Sequence, residues 1–401
     1  MKTWRRNVFV VWFAETLAVI GFNFTIPFLP YYIQKLGINN FKDISLWAGL
    51  LGTAPSISLV IASPFWGIIA DKVGRKFMLM RALFFGSFIL FFMGMVKNVH
   101  QLFFLRLAQG LFTGTITSAM ALIASITPKE DSGFGFGLIH TSVFIGVFIG
   151  PILGGMSIEK IGYRNSFYIS SLLLLIATIF IIFVKEEFER NREKERKSIE
   201  IVRSEILPFI SFLFLIQFAS TITSPIFPIF IQKLLGNGKN LTSIAGAIIG
   251  FSSLVASLSA ILSPKISKIL GIKKFLSFLI YMVGIFLLLQ GFSGTIFLLA
   301  LFRILSSFFA GGIKPVLYTI INQKIKREES GKVFGITGSA SGIGSATGPM
   351  TGGMFASVFN VSAPFFLSGI IFLFAGTINY FVLKFKKSSS PNRVWAKRED
   401  I

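Results

Sequence analysis

The sequence predicts an all-α polytopic membrane protein whose twelve transmembrane helices form two six-helix bundles related by a pseudo-two-fold axis. Composition is the first observation behind this prediction: 53% of the 401 residues are apolar and 14% are charged, with a mean hydropathy of +0.75. The second observation is a series of apolar runs that approach the length needed to cross a bilayer, about 20 residues. The third is an internal repeat that relates the two halves of the chain.

Twelve apolar stretches are separated by glycine, proline and charged residues. Lipid offers no hydrogen-bond partners to the backbone, and the stretches show no strict alternation, so we predict helices rather than strands. The predicted spans cover residues 8–33, 46–70, 77–96, 102–126, 134–158, 167–184, 206–231, 244–262, 275–289, 295–321, 333–359 and 364–383. The first is too long for a signal peptide and has no cleavage-like segment after it, so we expect it to be retained.

The two halves repeat each other at a nearly constant offset. Residues 25–35 match residues 223–233, and residues 150–156 match residues 348–354, each 198 positions later. These matches predict two bundles in the same orientation, at 1–184 and 206–384, with a charged cytoplasmic linker at 185–205 and a cytoplasmic tail at 385–401. We expect the linker to be a solvated helix held by ion pairs. Parallel repeats of this kind place a binding site at their interface.

The net charge of +22 has an explanation other than nucleic-acid binding. Most basic residues fall in loops on one side of the predicted spans, and the positive-inside rule then places both termini in the cytoplasm. The chain has no cysteine and only two histidines, His100 and His140, which leaves little for a metal site or a catalytic relay. We therefore expect no metal, no cofactor, no nucleic-acid partner and no enzymatic activity.

Four charged side chains inside predicted spans are candidate functional residues, because charge in lipid is costly. In spans four and ten, the charged residues belong to stripes of polar or small residues at helical spacing. The first stripe is Arg106, Gln109, Gly110, Thr113, Gly114 and Thr117, and the second is Arg303, Ser306, Ser307, Ala310, Gly311 and Lys314. Helix packing explains the glycines but not the arginines. We therefore favour Arg106 and Lys314 as residues that line or border a polar cavity.

Glu15 is the only acid in any predicted span, and two interpretations of it stay open. It lies about 10 Å from the predicted start of its helix, so it is either a proton or cation site or a shallow residue that reaches the headgroups. His140 lies at a similar depth in the fifth span. A histidine titrates near neutral pH and is able to carry a proton, although a lone histidine is more often a packing residue.

Two motifs suggest conformational roles. The loop after the second span carries Gly67, Asp71, Gly74, Arg75 and Lys76. Its acid suits a helix terminus, and its arginine is able to pair with an acid after the fourth span, either Glu130 or Asp131. This loop is either a latch or a cytoplasmic connection without one. The fifth span carries Gly146, Gly150, Pro151, Gly154 and Gly155, which predict a bent, closely packed helix. That helix suits a moving interface as well as ordinary packing.

These residues resemble the motifs of the major facilitator superfamily over essentially the whole chain. The loop from Gly67 to Lys76 matches the superfamily signature, Arg106-x-x-Gln109-Gly110 resembles its second motif, and the run at 146–155 resembles the fifth-span motif of drug:proton antiporters. The start Phe22-x-x-x-x-Pro27-Phe28-Leu29-Pro30, with Pro64-Phe65-Trp66-Gly67, is similar to the twelve-span multidrug efflux branch of bacteria. The resemblance implies a multi-pass protein of a prokaryotic cytoplasmic membrane.

The resemblance also implies roles for single residues. Asp71 and Arg75 would form a conformational latch, Arg106 would take part in proton coupling, and Gly150 and Pro151 would belong to an interface that prevents leak. No phosphate-cradling loop is found, so a gradient must drive transport. We expect a monomeric proton-coupled exporter of amphipathic small molecules, and the alternative is an importer of a small metabolite. The shallow position of Glu15 and two central cations put lipophilic cations in doubt as cargo.

Overall fold

The computed structural model describes residues 3–186, 207–238, 240–323 and 330–388, and within these ranges every regular element is a helix. The helices are α1 (Thr3–Thr25), α2 (Leu29–Lys35), α3 (Phe41–Val73), α4 (Arg75–Met95), α5 (Val99–Phe112), α6 (Thr115–Ile126), α7 (Ser132–Ile182), α8 (Leu207–Ile222), α9 (Phe227–Leu235), α10 (Leu241–Leu270), α11 (Ile272–Gly291), α12 (Ile296–Asn322), α13 (Ser330–Val358) and α14 (Ala363–Ser388).

The predicted spans correspond to these helices in order. Nine helical segments of the described ranges are long and apolar enough to cross a membrane. One of them, α7, has 51 residues and turns at Gly162, where φ is +83°, so it contains the fifth and sixth spans. Counting both arms of α7 and adding α13 and α14 gives the twelve spans that the sequence predicts. The predicted linker lies outside the described residues from 187 onward, as does the predicted tail from 389 onward.

Prolines interrupt the first and seventh spans at equivalent positions. A short 3-10 turn, Ile26–Phe28, separates α1 from α2, and Pro27 lies within it. Residues 223–226, which include Pro225, separate α8 from α9. Proline has no N–H to donate and its ring crowds the preceding turn, which favours an interruption of the helix at both positions.

The fourth span differs from its prediction as one continuous helix. It breaks between α5 and α6, where Gly114 adopts a left-handed conformation with φ of +104° that side chains other than glycine disfavour. The face that begins at Arg106 therefore ends with α5, and Thr117 does not continue it. The tenth span, its counterpart, is the unbroken helix α12.

The bundle has two ends, which we name the terminal face, where α1 begins, and the opposite face, where α2 ends. Near the opposite face Gln34 and Gln232 exchange two hydrogen bonds of 2.8 Å, each amide donating to the other. These residues lie 198 positions apart, the offset of the repeat. A residue that bonds to its own counterpart lies on the symmetry axis, which confirms the predicted pseudo-two-fold relation.

Candidate functional site

A cavity of about 340 Å³ lies between the two halves on the terminal side of the Gln34–Gln232 pair. Both halves line it, and both contribute an arginine, Arg106 from α5 and Arg303 from α12. Its other polar side chains include Asn23, Ser56, Thr221, Ser224 and Ser345. None of the described residues that line it is acidic, so the cavity is electropositive.

Arg106 is held in place by its own half. It is buried, its Nε donates to the carbonyl oxygen of Leu51 at 2.9 Å, and its Nη1 donates to the side-chain oxygen of Gln109. Gly110, one residue further along α5, lies so close to α3 that a methyl group there would overlap with the carbonyl oxygen of Pro55. The buried face of α5 thus packs against α3 and fixes the arginine at the cavity wall.

Arg303 has fewer partners. Its guanidinium carbon lies 4.5 Å from the ring centroid of Phe227, a cation–π contact with another residue of the cavity wall. Its Nε is buried and has no hydrogen-bond partner within the described ranges. Lys314 and His140, which the sequence also singles out, do not line this cavity. Lys314 is half-buried on α12, and His140 is exposed on α7.

Contacts between the halves close the cavity toward the opposite face, and we name them the seal. Besides Gln34 and Gln232, Tyr31 donates its hydroxyl to the carbonyl oxygen of Pro228 at 2.6 Å. Glu159 of α7 accepts the backbone N–H of Asn240 at 2.8 Å, and its other oxygen lies 2.8 Å from the hydroxyl of Thr242. Sequence reasoning missed Glu159, because its partners belong to the other half and no local sequence pattern predicts contacts between distant segments.

The glycine motif of the fifth span packs on two sides. Gly146, Gly150 and Gly154 face α1 of their own half, where added methyl groups would crowd Val19, Asn23 and Phe24. Gly155 instead faces the other half, where a methyl group would overlap with the carbonyl oxygen of Thr242, and the carbonyl of Pro151 lies against Gly246. The motif thus combines packing inside a bundle with a close contact between bundles.

The second half repeats this arrangement. A methyl group on Gly353 of α13 would lie 2.5 Å from the carbonyl oxygen of Ser45 in α3, and one on Gly49 would lie 2.7 Å from that of Pro349. Both crossings bring backbones together at glycine, which is what permits such close approach between membrane helices. The two halves therefore meet through equivalent glycine contacts on either side of the axis.

Glu15 is fully buried in the protein, so its side chain does not reach out to the headgroups, as one of the two interpretations expected. Its helix begins at Thr3 rather than at residue 8, which places Glu15 about 18 Å along α1. The hydroxyl of Thr115 donates to Oε1 at 3.0 Å, and Oε2 has no hydrogen-bond partner among the residues that the structure describes. Glu15 does not line the central cavity. No group of three His, Cys, Asp or Glu side chains in the described ranges is placed to hold a metal ion.

Arg81 is a buried charge that the sequence reasoning missed, although it lies inside the predicted third span. It is 7% exposed, its guanidinium carbon lies 3.5 Å from the centroid of the Trp66 ring, and its Nη2 donates to the carbonyl oxygen of Thr113 at 3.4 Å. Its position six residues after Arg75 let it pass as part of the basic loop. Its contact with the broken turn at Thr113, which is visible only in the folded chain, is what distinguishes it from the basic residues of the loop.

The loop motif forms a local structure at the terminal face. Gly74 adopts φ of +94° between α3 and α4, and the side chains of Arg75 and Asp71 pair at 3.5 Å. Glu186 accepts the backbone N–H groups of Arg75 and Lys76 at 3.1 and 2.8 Å, so it caps the start of α4. Sequence reasoning treated Glu186 only as part of the linker.

The other members of the predicted latch belong to α3, to the start of α4 and to the turn after α6. Lys76 donates its Nζ to the carbonyl oxygen of Ile182 at 2.7 Å, which ties the loop to the end of the sixth span. Gly67 is exposed on α3, and Glu130 and Asp131 form the short 3-10 turn Lys129–Asp131. In the second half, Gly271 repeats the backbone of Gly74 with φ of +86°, but no acid accompanies it.

Comparison with known proteins identifies the family. The sequence model of the Major Facilitator Superfamily matches residues 11–279 and 209–400. The chain belongs to the Major Facilitator Superfamily. It is 30% identical over 388 residues to the "Multidrug resistance protein MdtG" of Serratia proteamaculans, a match that covers 95% of this chain and 94% of the relative.

Solved structures of other transporters share the fold. A bacterial homolog of the human lysosomal transporter Spinster, in an inward-facing and occupied conformation, superposes with a TM-score of 0.78 at 13% identity, over 98% of this chain and all of the other. The nucleoside transporter NupG superposes with a TM-score of 0.72 at 15% identity, over 97% of this chain and all of NupG. As a member of the superfamily, the chain is a multi-pass membrane transporter of small molecules.

Proposed function

We propose that the protein exports amphipathic small molecules in exchange for protons, as a monomer, by alternating access between its two bundles. The observation that carries this proposal is the cavity between the halves, which both bundles line and which the seal closes at one face. A cavity at the interface of parallel repeats opens to either side when the repeats rock against each other. The multidrug resistance relatives support export as the direction.

The charge bias of the loops supports a cytoplasmic terminal face. With this orientation the seal lies toward the cell exterior, and the closed contacts at Gln34, Glu159 and Gly155 belong to an inward-facing conformation. Export would then begin with uptake of cargo from the cytoplasm or the inner leaflet. The seal would open after the terminal face closes.

Glu15 is our candidate for the proton carrier. Full burial strongly disfavours the charged form of a carboxylate, and Oε2 of Glu15 has no hydrogen-bond partner in the part of the chain that the structure describes. Uptake of a proton at Glu15 is therefore sensitive to its surroundings. Arg106 and Arg303 would hold cargo, and Gln109 would orient Arg106. His140 and Lys314 remain second candidates for coupling.

The cavity charge favours anionic, zwitterionic or neutral amphipaths over lipophilic cations. The two arginines bring positive charge to opposite walls of a space whose described lining contains no acid. Phe227, Ile249 and several prolines supply apolar surface. A cation would enter without a partner, and an anion would gain charge-assisted hydrogen bonds.

Inside-out vesicles test this function directly. We expect an imposed proton gradient to drive uptake of an anionic or neutral amphipathic dye, and nigericin, which collapses the gradient, to abolish it. A lipophilic cationic dye of similar size should be taken up more slowly. Uptake that nigericin leaves unchanged would contradict proton coupling, and accumulation of a labelled metabolite in intact cells would support the importer instead.

The loop at the terminal face should affect turnover without affecting folding. The Asp71 side chain is 74% exposed, and an exposed ion pair contributes only about 0–1 kcal/mol to stability. We therefore expect Asp71→Asn to leave insertion and thermal stability unchanged while slowing dye efflux by roughly tenfold, which is about 1.4 kcal/mol in the barrier. Glu186→Ala should slow efflux similarly, because it uncaps α4 beside the same loop.

Asp43→Asn is the matched control for these variants. Asp43 is an exposed acid in the first turn of α3, at the other end of the helix that carries Asp71. Its substitution should leave the efflux rate and the melting temperature as they are. If Asp71→Asn transports at the wild-type rate, the loop is a connection and not a latch.

A further inference from the structure

The break in the fourth span exposes backbone groups inside the membrane. At Thr113 and Gly114 the chain leaves the helical conformation, and the second residue takes φ of +104° before α6 begins. Carbonyl groups next to the break lose their helical partners, and an unsatisfied polar group in hydrocarbon costs several kcal/mol. A break of this kind needs donors from neighbouring helices.

Two side chains from other spans supply these donors. Trp66 of α3 donates its indole N–H to the carbonyl oxygen of Leu111 at 2.6 Å. Arg81 of α4 donates to the carbonyl oxygen of Thr113 at 3.4 Å. The guanidinium carbon of Arg81 also lies 3.5 Å from the centroid of the Trp66 ring, a cation–π contact. Arg81 and Trp66 therefore form one brace on the broken turn.

Arg81 has no other evident task. It is buried, and its Nε and Nη1 have no hydrogen-bond partner within the described ranges. It does not line the central cavity, so it is not placed to meet cargo there. Burying a guanidinium without an acidic partner costs free energy. A charge that is retained inside a membrane span despite this cost indicates a functional role.

The far side of the broken turn contacts Glu15. Thr115 is the first residue of α6, directly after Gly114, and its hydroxyl donates to the buried carboxylate at 3.0 Å. The turn thus has Arg81 on one side and Glu15 on the other. On the elements packed against α1 here, α6 has no titratable side chain, and α7 has one at a comparable depth, the exposed His140.

The second half has neither the buried acid, nor the arginine, nor the break at the equivalent positions. At the offset of 198, Leu213 stands in place of Glu15. At the offset of 197 that relates Gly74 to Gly271, Phe278 stands in place of Arg81. The tenth span runs unbroken as α12. The brace and the broken turn therefore occur in the half that has the buried acid.

We propose that Arg81, with Trp66, is a positioning residue that holds the broken turn so that Thr115 bonds to Glu15 and sets the pH at which Glu15 takes up a proton. The proposal rests on Glu15 being the proton carrier of the proposed function. A hydroxyl that donates to a carboxylate favours its charged form. Loss of the brace should therefore let Glu15 bind its proton at higher pH.

Labelling with dicyclohexylcarbodiimide tests this without measuring transport, because the reagent adds to carboxyl groups in the protonated form. We expect the pH midpoint of Glu15 labelling in the purified full-length protein, followed by mass spectrometry, to rise by about one pH unit in Arg81→Met. Thr115→Val should raise it equally. The double variant should show no further rise, because both changes remove one interaction.

Milder variants and controls complete the test. Arg81→Lys keeps a charged donor and should recover part of the shift, and Trp66→Phe provides a second way to weaken the brace if Arg81→Met does not fold. Arg5→Met is the matched control, because Arg5 also lies over a tryptophan, Trp4, but at the exposed start of α1. Glu15→Gln should remove the labelled peptide.

The outcomes separate the two proposals. An unchanged labelling midpoint in Arg81→Met, or in both milder variants, would overturn the positioning role. Shifts of Arg81→Met and Thr115→Val that simply add would overturn it as well. If the midpoint shifts as expected but dye transport ignores the proton gradient, the positioning role stands and the proposed function fails.

Discussion

Glu15→Gln is expected to abolish gradient-driven efflux while leaving a folded protein in the membrane. Glutamine has the shape of the protonated acid but cannot release a proton, so the transporter would lose its coupling ion. Glu15 is fully buried, one of its oxygens has no hydrogen-bond partner among the described residues, and removing such a buried charge is neutral or stabilising. We expect uphill dye efflux to fall at least about tenfold, and the melting temperature to stay the same or rise.

The comparison that decides this prediction uses downhill exchange. Cargo moving down its own gradient needs the conformational change but not the proton, so Glu15→Gln should retain exchange and lose only the response to pH. His140→Ala and Lys314→Met should keep that response. If Glu15→Gln remains coupled and either of the other variants does not, the carrier is His140 or Lys314. Asp43→Asn again serves as the control for a lost surface acid.

Gly154 and Gly155 are expected to separate folding from transport. Both stand next to each other on α7, but Gly154 faces α1 of its own bundle and Gly155 faces α10 of the other. Overpacking costs about 1–3 kcal/mol. In Gly154→Ala that cost falls on the bundle in every conformation, so we expect lower thermal stability. In Gly155→Ala the same cost destabilises only the conformation in which the seal is closed, because only there does residue 155 contact the other half.

A cysteine reporter measures the second effect. The chain has no cysteine, so Ser56→Cys at the cavity wall gives a single labelling site. For Gly155→Ala we expect maleimide labelling from the outer side to rise roughly 5- to 150-fold, the change in conformational ratio that 1–3 kcal/mol produces. Gly137→Ala is the control, because the added methyl group would lie more than 4 Å from any neighbouring helix in the described ranges. Equal labelling in Gly154→Ala and Gly155→Ala would contradict the assignment of Gly154 to packing within a bundle and of Gly155 to the contact between bundles.

The sequence predicted best what the repeat and the helical period encode. The offset of 198 anticipates the Gln34–Gln232 contact, and the matched arginines of spans four and ten do meet at one cavity. Periodicity cannot foresee a single residue that leaves the helix, so it missed the break at Gly114, and it also missed the full burial of Glu15. Contacts between distant segments were missed for the same reason.

Residues near predicted boundaries were the other source of error. Arg81, Glu159 and Glu186 all lie close to the end of a predicted span, where a charge is expected and draws no attention. Each has a specific partner that only the folded chain reveals: a broken turn, the start of α10 and the start of α4. For a charged residue within two helical turns of a predicted boundary, the sequence therefore does not show whether the side chain is solvated or has a specific partner.

The Gln34–Gln232 pair carries a trace of how the chain arose. A side chain that bonds to its own counterpart is the contact of a symmetric homodimer at its two-fold axis. Gene fusion preserves that contact but releases each copy from having to be identical. The two halves now differ, because the first has the acid and the broken turn and the second has an unbroken helix and Leu213. A symmetric contact in the seal therefore joins two halves whose buried side chains are no longer equivalent.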